Sequence, residues 1–140
     1  MSKKTSSFRL SEDLFDLDNF KCINDKYGHA AGDILLKAFA KNIQPHCRNY
    51  DIFARIGGEE FALLLPNTEK KSAFFIAERI RSSVEALVVP FENKSLQITV
   101  SIGVIDNSGD MNSMDLFMKN ADKNLYIAKS KGRNQVCQGE

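Results

Sequence analysis

Residues 52–65 have the sequence IFARIGGEEFALLL, in which two apolar runs flank Gly57-Gly58-Glu59-Glu60. A glycine pair between two such runs is typical of a β-hairpin, because glycine adopts the positive φ that tight turns require. The glycines alone favour an ordinary turn. Glu59 and Glu60 change this balance, because adjacent acids repel each other unless a cation is close, and glycines let a phosphate approach the backbone. The stretch therefore predicts a hairpin whose tip is either a simple turn or a metal–phosphate site.

Strand and helix patterns interleave on both sides of this hairpin. Apolar spacing gives, in chain order, a short strand at 14–18, helices at 19–27 and 30–46, the hairpin strands 52–56 and 61–65, a helix capped by Asn67 or Thr68, a strand at 96–104, a helix at 114–130 and a short strand from Val136. Residues 107–110 fit a loop. Because a hairpin interrupts the interleaved order, the pattern predicts an α+β fold with a mainly antiparallel central sheet covered by helices.

Composition limits the classes of function. The 140 residues suit one domain, expected at 10–140 after an irregular tail at 1–9. With 19 basic and 18 acidic residues, the chain has no general basic field for nucleic acid. The 3 cysteines are irregularly spaced, which predicts free thiols in a reducing compartment rather than disulfides or a zinc site. Without a signal peptide or an apolar run of about 20 residues, we expect a cytoplasmic protein with no membrane contact.

Several acids and amides stand where a nucleotide site could form. Asp16 and Asp18 lie at a strand end, where one carboxylate and a backbone carbonyl commonly hold Mg²⁺, but a solvated turn explains the pair at least as often. Asn24 and Asp33 flank a glycine–histidine corner and together could recognise a guanine edge. From chemistry alone, turn and cap roles are the stronger interpretation for these two residues.

Three cations, Lys129, Lys131 and Arg133, cluster at the end of the last long helix. Cations complement the partial negative charge of a helix C-terminus, and the same cluster would suit a triphosphate. The residues alone give the two interpretations equal weight.

Together, these motifs occur in an order that resembles the GGDEF family of diguanylate cyclase catalytic domains. The matching segments are DLDNFKCIND at 16–25, GHAAGD at 28–33, RIGGEEF at 55–61, SIGV at 101–104, ADKNLYIAK at 121–129 and GRN at 132–134. The resemblance covers roughly residues 14 to 136 and lacks the Asp-x-Leu-Thr-x-Leu-x-Asn-Arg block with which the family opens. It implies a fold similar to the polymerase palm and the nucleotidyl cyclases.

The resemblance also implies roles for individual positions. Asp16, the carbonyl of Leu17 and Glu59 would hold two Mg²⁺ ions, or Mn²⁺ in their place. Asn24 and Asp33 would recognise guanine. The remaining substrate contacts would come from the backbone N–H groups of Phe20 and Lys21, the open backbone of Gly57 and Gly58, and the side chains of Lys129 and Arg133. Glu60 would accept a proton, which makes the catalytic set Asp16, Glu59, Glu60 and Lys129.

The implied activity is the condensation of two GTP into cyclic di-GMP and two pyrophosphates, in bacterial signal transduction, by a homodimer in which each domain holds one GTP. Arg48 and Asp51 match the family's Arg-x-x-Asp inhibitory motif and Arg79 matches a second contact, which implies feedback by cyclic di-GMP. The alternative is a catalytically impaired domain that binds GTP or cyclic di-GMP, which the missing first block favours. A cyclase that also accepts ATP is disfavoured, because relatives of that kind carry Ser at the position of Asp33.

Overall fold

The computed structural model describes residues 8–108 and 113–139. In chain order its elements are β1 (Leu10–Leu17), α1 (Phe20–Tyr27), α2 (His29–Ile43), a 3₁₀ turn (Gln44–His46), β2 (Ile52–Gly57), β3 (Glu60–Pro66), α3 (Lys70–Ala86), β4 (Val89–Phe91), β5 (Lys94–Leu96), β6 (Val100–Asp106), α4 (Met114–Ser130) and β7 (Val136–Cys137). Five strands form one sheet in the order β2-β3-β1-β6-β7, and β4 and β5 form a separate hairpin. The pairs are antiparallel except for the parallel pair β6–β7. The predicted α+β fold is confirmed, whereas most of the predicted tail (1–7) and half of the predicted loop (109–110) lie outside the described residues.

Helices cover both faces of the sheet, and the side chains of β1 point alternately to one face and the other. The main core lies under α2 and α3 and contains the fully buried Phe15, Phe39 and Ile80. On the opposite face α4 packs against β6 and β1 and buries Leu14. Because successive side chains of a strand point to opposite faces, Asp16 lies on the same face as Leu14. The central strand therefore directs Asp16 toward α4.

Several predicted boundaries and one predicted cap are wrong. The strand expected at 96–104 is two strands, because Glu92 adopts a positive φ of 53° and turns the chain so that Lys94–Leu96 pairs with Val89–Phe91. The helix expected to reach residue 46 ends at Ile43 and tightens into the 3₁₀ turn that contains Pro45. Neither Asn67 nor Thr68 caps α3, which begins at Lys70 without a side-chain cap.

The central strand is longer than predicted and carries two buried acids. It begins at Leu10, so Glu12 and Asp13 lie within it at 1% and 0% exposure. Asp13 pairs with Leu63 and Val104 in the main core, and neither of its carboxylate oxygens has a hydrogen-bond partner among the described residues. Burial, followed by repulsion from Glu12 and Asp51, raises the pKa of Asp13 well above its ordinary value. Burial and then the charge of Asp122 raise the pKa of Glu12 to about 7.

These two acids should make the protein less stable as the pH rises. Between the ordinary pKa of 4.5 and the folded-state pKa of about 7, Glu12 binds more protons in the folded than in the unfolded state, so the free energy of unfolding falls with increasing pH. The isosteric apolar change Asp13→Leu should raise the free energy of unfolding at pH 8 by roughly 2 kcal/mol, because it removes an unpaired buried polar group. The gain should be smaller at pH 5, because a group whose pKa is raised in the folded state costs less stability as the pH falls.

Urea unfolding at both pH values measures these differences. The same substitution at the exposed Asp115 of α4 is the matched control and should change the free energy of unfolding by less than about 0.5 kcal/mol. If Asp13→Leu were less stable than the parent at pH 8, the carboxylate would have a partner that the structure does not contain.

Candidate active site

A cleft of about 370 Å³ lies between the tip of the β2–β3 hairpin and the corner where α1 meets α2. It is lined by Phe20, Lys21, Asn24, His29, Asp33, Leu36, Arg55, Gly58 and Glu59. Six of these nine are residues that the sequence analysis assigned to substrate or metal. Leu17 links the cleft to the central strand, because its backbone N–H donates to the carbonyl oxygen of Glu59 at 3.1 Å. Asp16, Glu60 and Lys129 form an adjoining cluster, so the structure brings the predicted residues together at the end of the sheet where β1 ends and the β2–β3 hairpin turns.

The hairpin tip is held by an arginine whose role the sequence did not reveal. The Arg55 side chain donates from Nε and Nη2 to the carbonyl oxygen of Gly58, at 2.9 and 2.6 Å. Gly58 has a positive φ of 51°, and a bulge separates Arg55 from Gly57. A Cβ at Gly57 would have no described atom within 4 Å. Internal packing therefore does not require glycine at residue 57, and the open backbone is free to face a ligand.

Asp16 is the buried acid of the site and has one cationic partner. Its side chain is 5% exposed, and Lys129 Nζ donates to its Oδ2 at 2.8 Å. Burial raises the pKa of Asp16, Lys129 lowers it, and the charges of Glu59 and Asp18 raise it again. Glu60 lies directly opposite Asp16 in the β1–β3 pair, and burial followed by the charges of Asp16 and Asp122 raises the pKa of Glu60. Negative charge at the strand end therefore exceeds what Lys129 neutralises.

This excess of negative charge suits a divalent cation. Mg²⁺ commonly takes one or two protein carboxylates and completes its shell with waters and phosphate oxygens. Asp16, the carbonyl of Leu17 and Glu59 offer such an incomplete set. Within residues 8–108 and 113–139, no group of three or more His, Cys, Asp or Glu side chains is arranged to hold a metal ion. The donor set therefore fits a metal that is bound together with a phosphate.

The side-chain amide of Asn24 occupies space that is open because Gly32 on the next helix has no side chain. A Cβ at Gly32 would collide with Asn24 Oδ1 and lie 3.0 Å from the Phe20 ring. Asp33 does not cap α2, because it lies inside that helix, whose N-cap is Gly28 and has no side-chain cap bond. Asn24 lies inside α1. Both side chains are thus available to a ligand in the cleft.

Arg133 and Lys129 approach the same region from the end of α4. Arg133 is exposed. The hydrogen bond to Asp16 raises the pKa of Lys129, and the positive charge of Arg133 is close enough to lower it in part. Its backbone N–H donates to the carbonyl oxygen of Ala128 at 3.0 Å, in a left-handed conformation with φ of 65°. The backbone of this turn is therefore bonded to α4 and places Arg133 within electrostatic reach of Lys129.

The Arg-x-x-Asp residues lie apart from the cleft and are bonded to each other. Arg48 donates to Asp51 from Nε at 3.1 Å and from Nη2 at 3.0 Å, and it also donates to Thr68 Oγ1 at 2.6 Å. Its guanidinium lies 4.9 Å from the centre of the Tyr50 ring. The Asp51 side chain is fully buried, whereas that of Arg48 is 38% exposed. Arg79 is exposed on α3. The pKa of His46 is lowered mainly by burial and further by the positive charge of Arg79.

The structure thus combines a mainly antiparallel sheet, acids at the end of its central strand and a cleft of about 370 Å³ beside them. The family model described as diguanylate cyclase, GGDEF domain, matches residues 3–135. The chain therefore belongs to the GGDEF family of diguanylate cyclase domains.

Named relatives and solved structures agree with this assignment. Diguanylate cyclase A of Treponema denticola is 48% identical over 123 residues, which are 88% of this chain and 33% of that protein. Response regulator PleD of Caulobacter vibrioides is 41% identical over 125 residues, 88% of this chain and 28% of that protein. The active GGEEF domain of a diguanylate cyclase from Vibrio cholerae superposes with a TM-score of 0.86 at 35% identity, covering 94% of this chain and 85% of that one. The GGDEF domain of DgcB from Caulobacter crescentus, in complex with c-di-GMP, gives 0.87 at 32% identity, covering 93% and 77%.

The chain spans about a third of the length of these curated relatives. In the part of the chain that the structure describes, no helix has the length and apolar character needed to cross a membrane.

Gly32→Ala should displace Asn24 and weaken the binding of GMP about tenfold without a large loss of stability. The added Cβ collides with a side-chain amide that can rotate away, so the damage should be confined to the cleft. Calorimetry with GMP, together with urea unfolding, measures the two effects.

Asn24→Ala provides the control, because it removes the atom with which the new Cβ collides. In that background Gly32→Ala should cause no further loss of GMP affinity. Additive losses in the double variant would show that Gly32 does not act through Asn24.

Proposed function

We propose that this domain condenses two GTP molecules into cyclic di-GMP and releases two pyrophosphates. The observation that carries the proposal is the continuity of the cleft: Asn24 and Asp33 line it at one end, and Glu59 lines it at the other, next to the buried Asp16. In each half-reaction the 3′-hydroxyl oxygen of one GTP attacks the α-phosphorus of the other. A P–O bond forms, the bond from the α-phosphorus to the bridging oxygen breaks, and pyrophosphate leaves.

Guanine would bind at the α1–α2 end of the cleft. The Asp33 carboxylate would accept from the N–H groups on the guanine edge, and the Asn24 amide would bond to the same edge. Adenine presents an acceptor at N1 where guanine presents a donor, so a carboxylate at residue 33 favours guanine.

The phosphates would bind between the start of α1 and the end of α4. Phe20 and Lys21 are the first residues of α1, whose earliest N–H groups have no acceptor within the helix. Lys129 and Arg133 would neutralise the outer phosphates. Lys129 is already hydrogen-bonded to Asp16, so it stands at the border between the metal ligands and the phosphate site.

Asp16, the carbonyl of Leu17 and Glu59 would hold two Mg²⁺ ions, with Mn²⁺ as the substitute. When bound, the metal spreads the charge that develops on the phosphate oxygens. Glu60 would take the proton from the attacking hydroxyl. Its pKa is raised by burial and by neighbouring acids, which supports this role, because a better base has a higher pKa.

Each cleft has the size of one nucleotide, so the reaction would require two domains face to face in a two-fold homodimer. We further propose that cyclic di-GMP inhibits the enzyme at Arg48, Asp51 and Arg79. Support comes from the partly exposed Arg48 guanidinium, which stacks near Tyr50 and lies outside the GTP cleft.

Glu59→Gln should lower the rate of cyclic di-GMP formation by about a hundredfold or more, because the amide removes one of few anionic metal ligands while keeping the size of the side chain. Chromatographic detection of the product from GTP and Mg²⁺ measures the rate. Glu69→Gln, at an exposed acid before α3, is the matched control and should behave like the parent.

Two outcomes would contradict the proposal. Full activity of a folded Glu59→Gln variant would remove Glu59 from the metal site. GTP binding by the parent without any product, at concentrations that allow dimers, would identify the domain as the binding module that the sequence analysis held as the alternative.

Arg79→Ala should weaken cyclic di-GMP binding at least tenfold and relieve inhibition, with the initial rate retained, because Arg79 is exposed and distant from the cleft. Arg48→Ala should do the same but should also lower the stability, because Arg48 holds Asp51 and Thr68. Calorimetry with cyclic di-GMP and initial-rate assays test both variants. Equal affinity in the parent and both variants would show that the Arg-x-x-Asp residues have a structural role only.

A further inference from the structure

Asp18 stands two residues after Asp16 but has a different environment. It is 6% exposed, and its carboxylate accepts from Thr99 Oγ1 at 2.7 Å, from Ser101 Oγ at 2.6 Å and from the backbone N–H of Asn134 at 3.0 Å. These bonds occupy both of its oxygens. Asp18 is thus committed to protein groups, and one of them belongs to the turn that follows α4.

That turn is attached to the domain on a second side. The Asn134 side chain accepts from Arg81 Nη1 at 2.9 Å and donates to Glu85 Oε2 at 2.8 Å, and both partners lie on α3. Arg133 and Asn134 have positive φ angles of 65° and 48°, a conformation that asparagine tolerates but that is uncommon for arginine. Asp18 and α3 therefore fix Asn134 from two directions.

We propose that Asp18 is a positioning residue for the triphosphate. Through the Asn134 amide it holds the left-handed turn that directs Arg133 toward Lys129 and the phosphate site, and it does not contact the substrate itself. This inference rests on the proposed function, because it assigns the phosphate-binding role to Arg133. Removing the carboxylate frees the turn, and the Arg133 guanidinium then loses its fixed position relative to Lys129.

The experiment compares two ligands that share guanine and differ in phosphate. Calorimetry on the full chain with Mg²⁺ should show that Asp18→Ala lowers the affinity for a GTP analogue with a non-hydrolysable α–β bridge about tenfold and leaves the GMP affinity unchanged. Asp18→Asn should recover most of the loss, because its amide oxygen still accepts from the Asn134 N–H.

A double-variant cycle with Arg133→Ala tests whether Asp18 acts through Arg133. If it does, Asp18→Ala should cause no further loss of analogue affinity in the Arg133→Ala background. Asp18→Leu is a second variant, because the apolar side chain keeps roughly the volume of the aspartate while its bonds to Thr99, Ser101 and Asn134 are lost. It should show the same selective loss of analogue affinity.

Unchanged analogue affinity in Asp18→Ala, or in Asp18→Leu where the alanine variant does not fold, would overturn the inference. An equal loss for GMP, or additive losses in the cycle, would overturn it as well. The proposed function fails separately: a parent that binds the analogue selectively through Arg133 but makes no cyclic di-GMP would contradict the cyclase activity and leave the positioning role of Asp18 standing.

Discussion

The close approach of α4 to the sheet is the constraint on which the site depends. α4 crosses β6 at Gly103, which has no side chain. A Cβ at this residue would collide with the backbone N of Leu125 and would lie 2.7 Å from the carbonyl oxygen of Ala121. Lys129 lies one helical turn beyond Leu125, and its ammonium reaches Asp16 at 2.8 Å. A larger residue at 103 would lift the helix and separate this pair. The turn that carries Arg133 follows directly from the same helix.

Asp16, near the end of β1, and Asp18, just after it, have different roles because their surroundings differ. Asp16 faces other acids and one lysine, and its pKa is raised mainly by burial. Asp18 receives hydrogen bonds from two hydroxyls and one amide, so its negative charge is compensated by protein groups. The first acid keeps its capacity for an external cation, whereas the second holds the structure around it.

Local patterns were enough to predict most of the fold, whereas the six predicted residues that line the cleft were assigned from the resemblance to the GGDEF family. The hairpin at 52–65, the helix Met114–Ser130 and the strand at Val136 follow from apolar periodicity and from glycine. The β4–β5 hairpin was missed, because its turn depends on Glu92 rather than on glycine. The first four residues of β1 were not predicted as strand, because they include two acids and polar side chains rarely occupy a central strand. Distant contacts such as Arg55 to the hairpin tip, or Asp18 to Asn134, have no periodic signal in the sequence.

The central claim is that Asp16 and Glu59 form one site with the cleft of Asn24 and Asp33, shared by metal and nucleotide. Crystals grown with Mn²⁺ and a non-hydrolysable GTP analogue would test it through the anomalous signal of manganese. The account predicts anomalous peaks beside the Asp16 and Glu59 carboxylates, guanine at Asp33, and Lys129 moved from Asp16 to a phosphate oxygen. A nucleotide bound outside the cleft, or an intact Lys129–Asp16 pair with no metal beside it, would contradict the account.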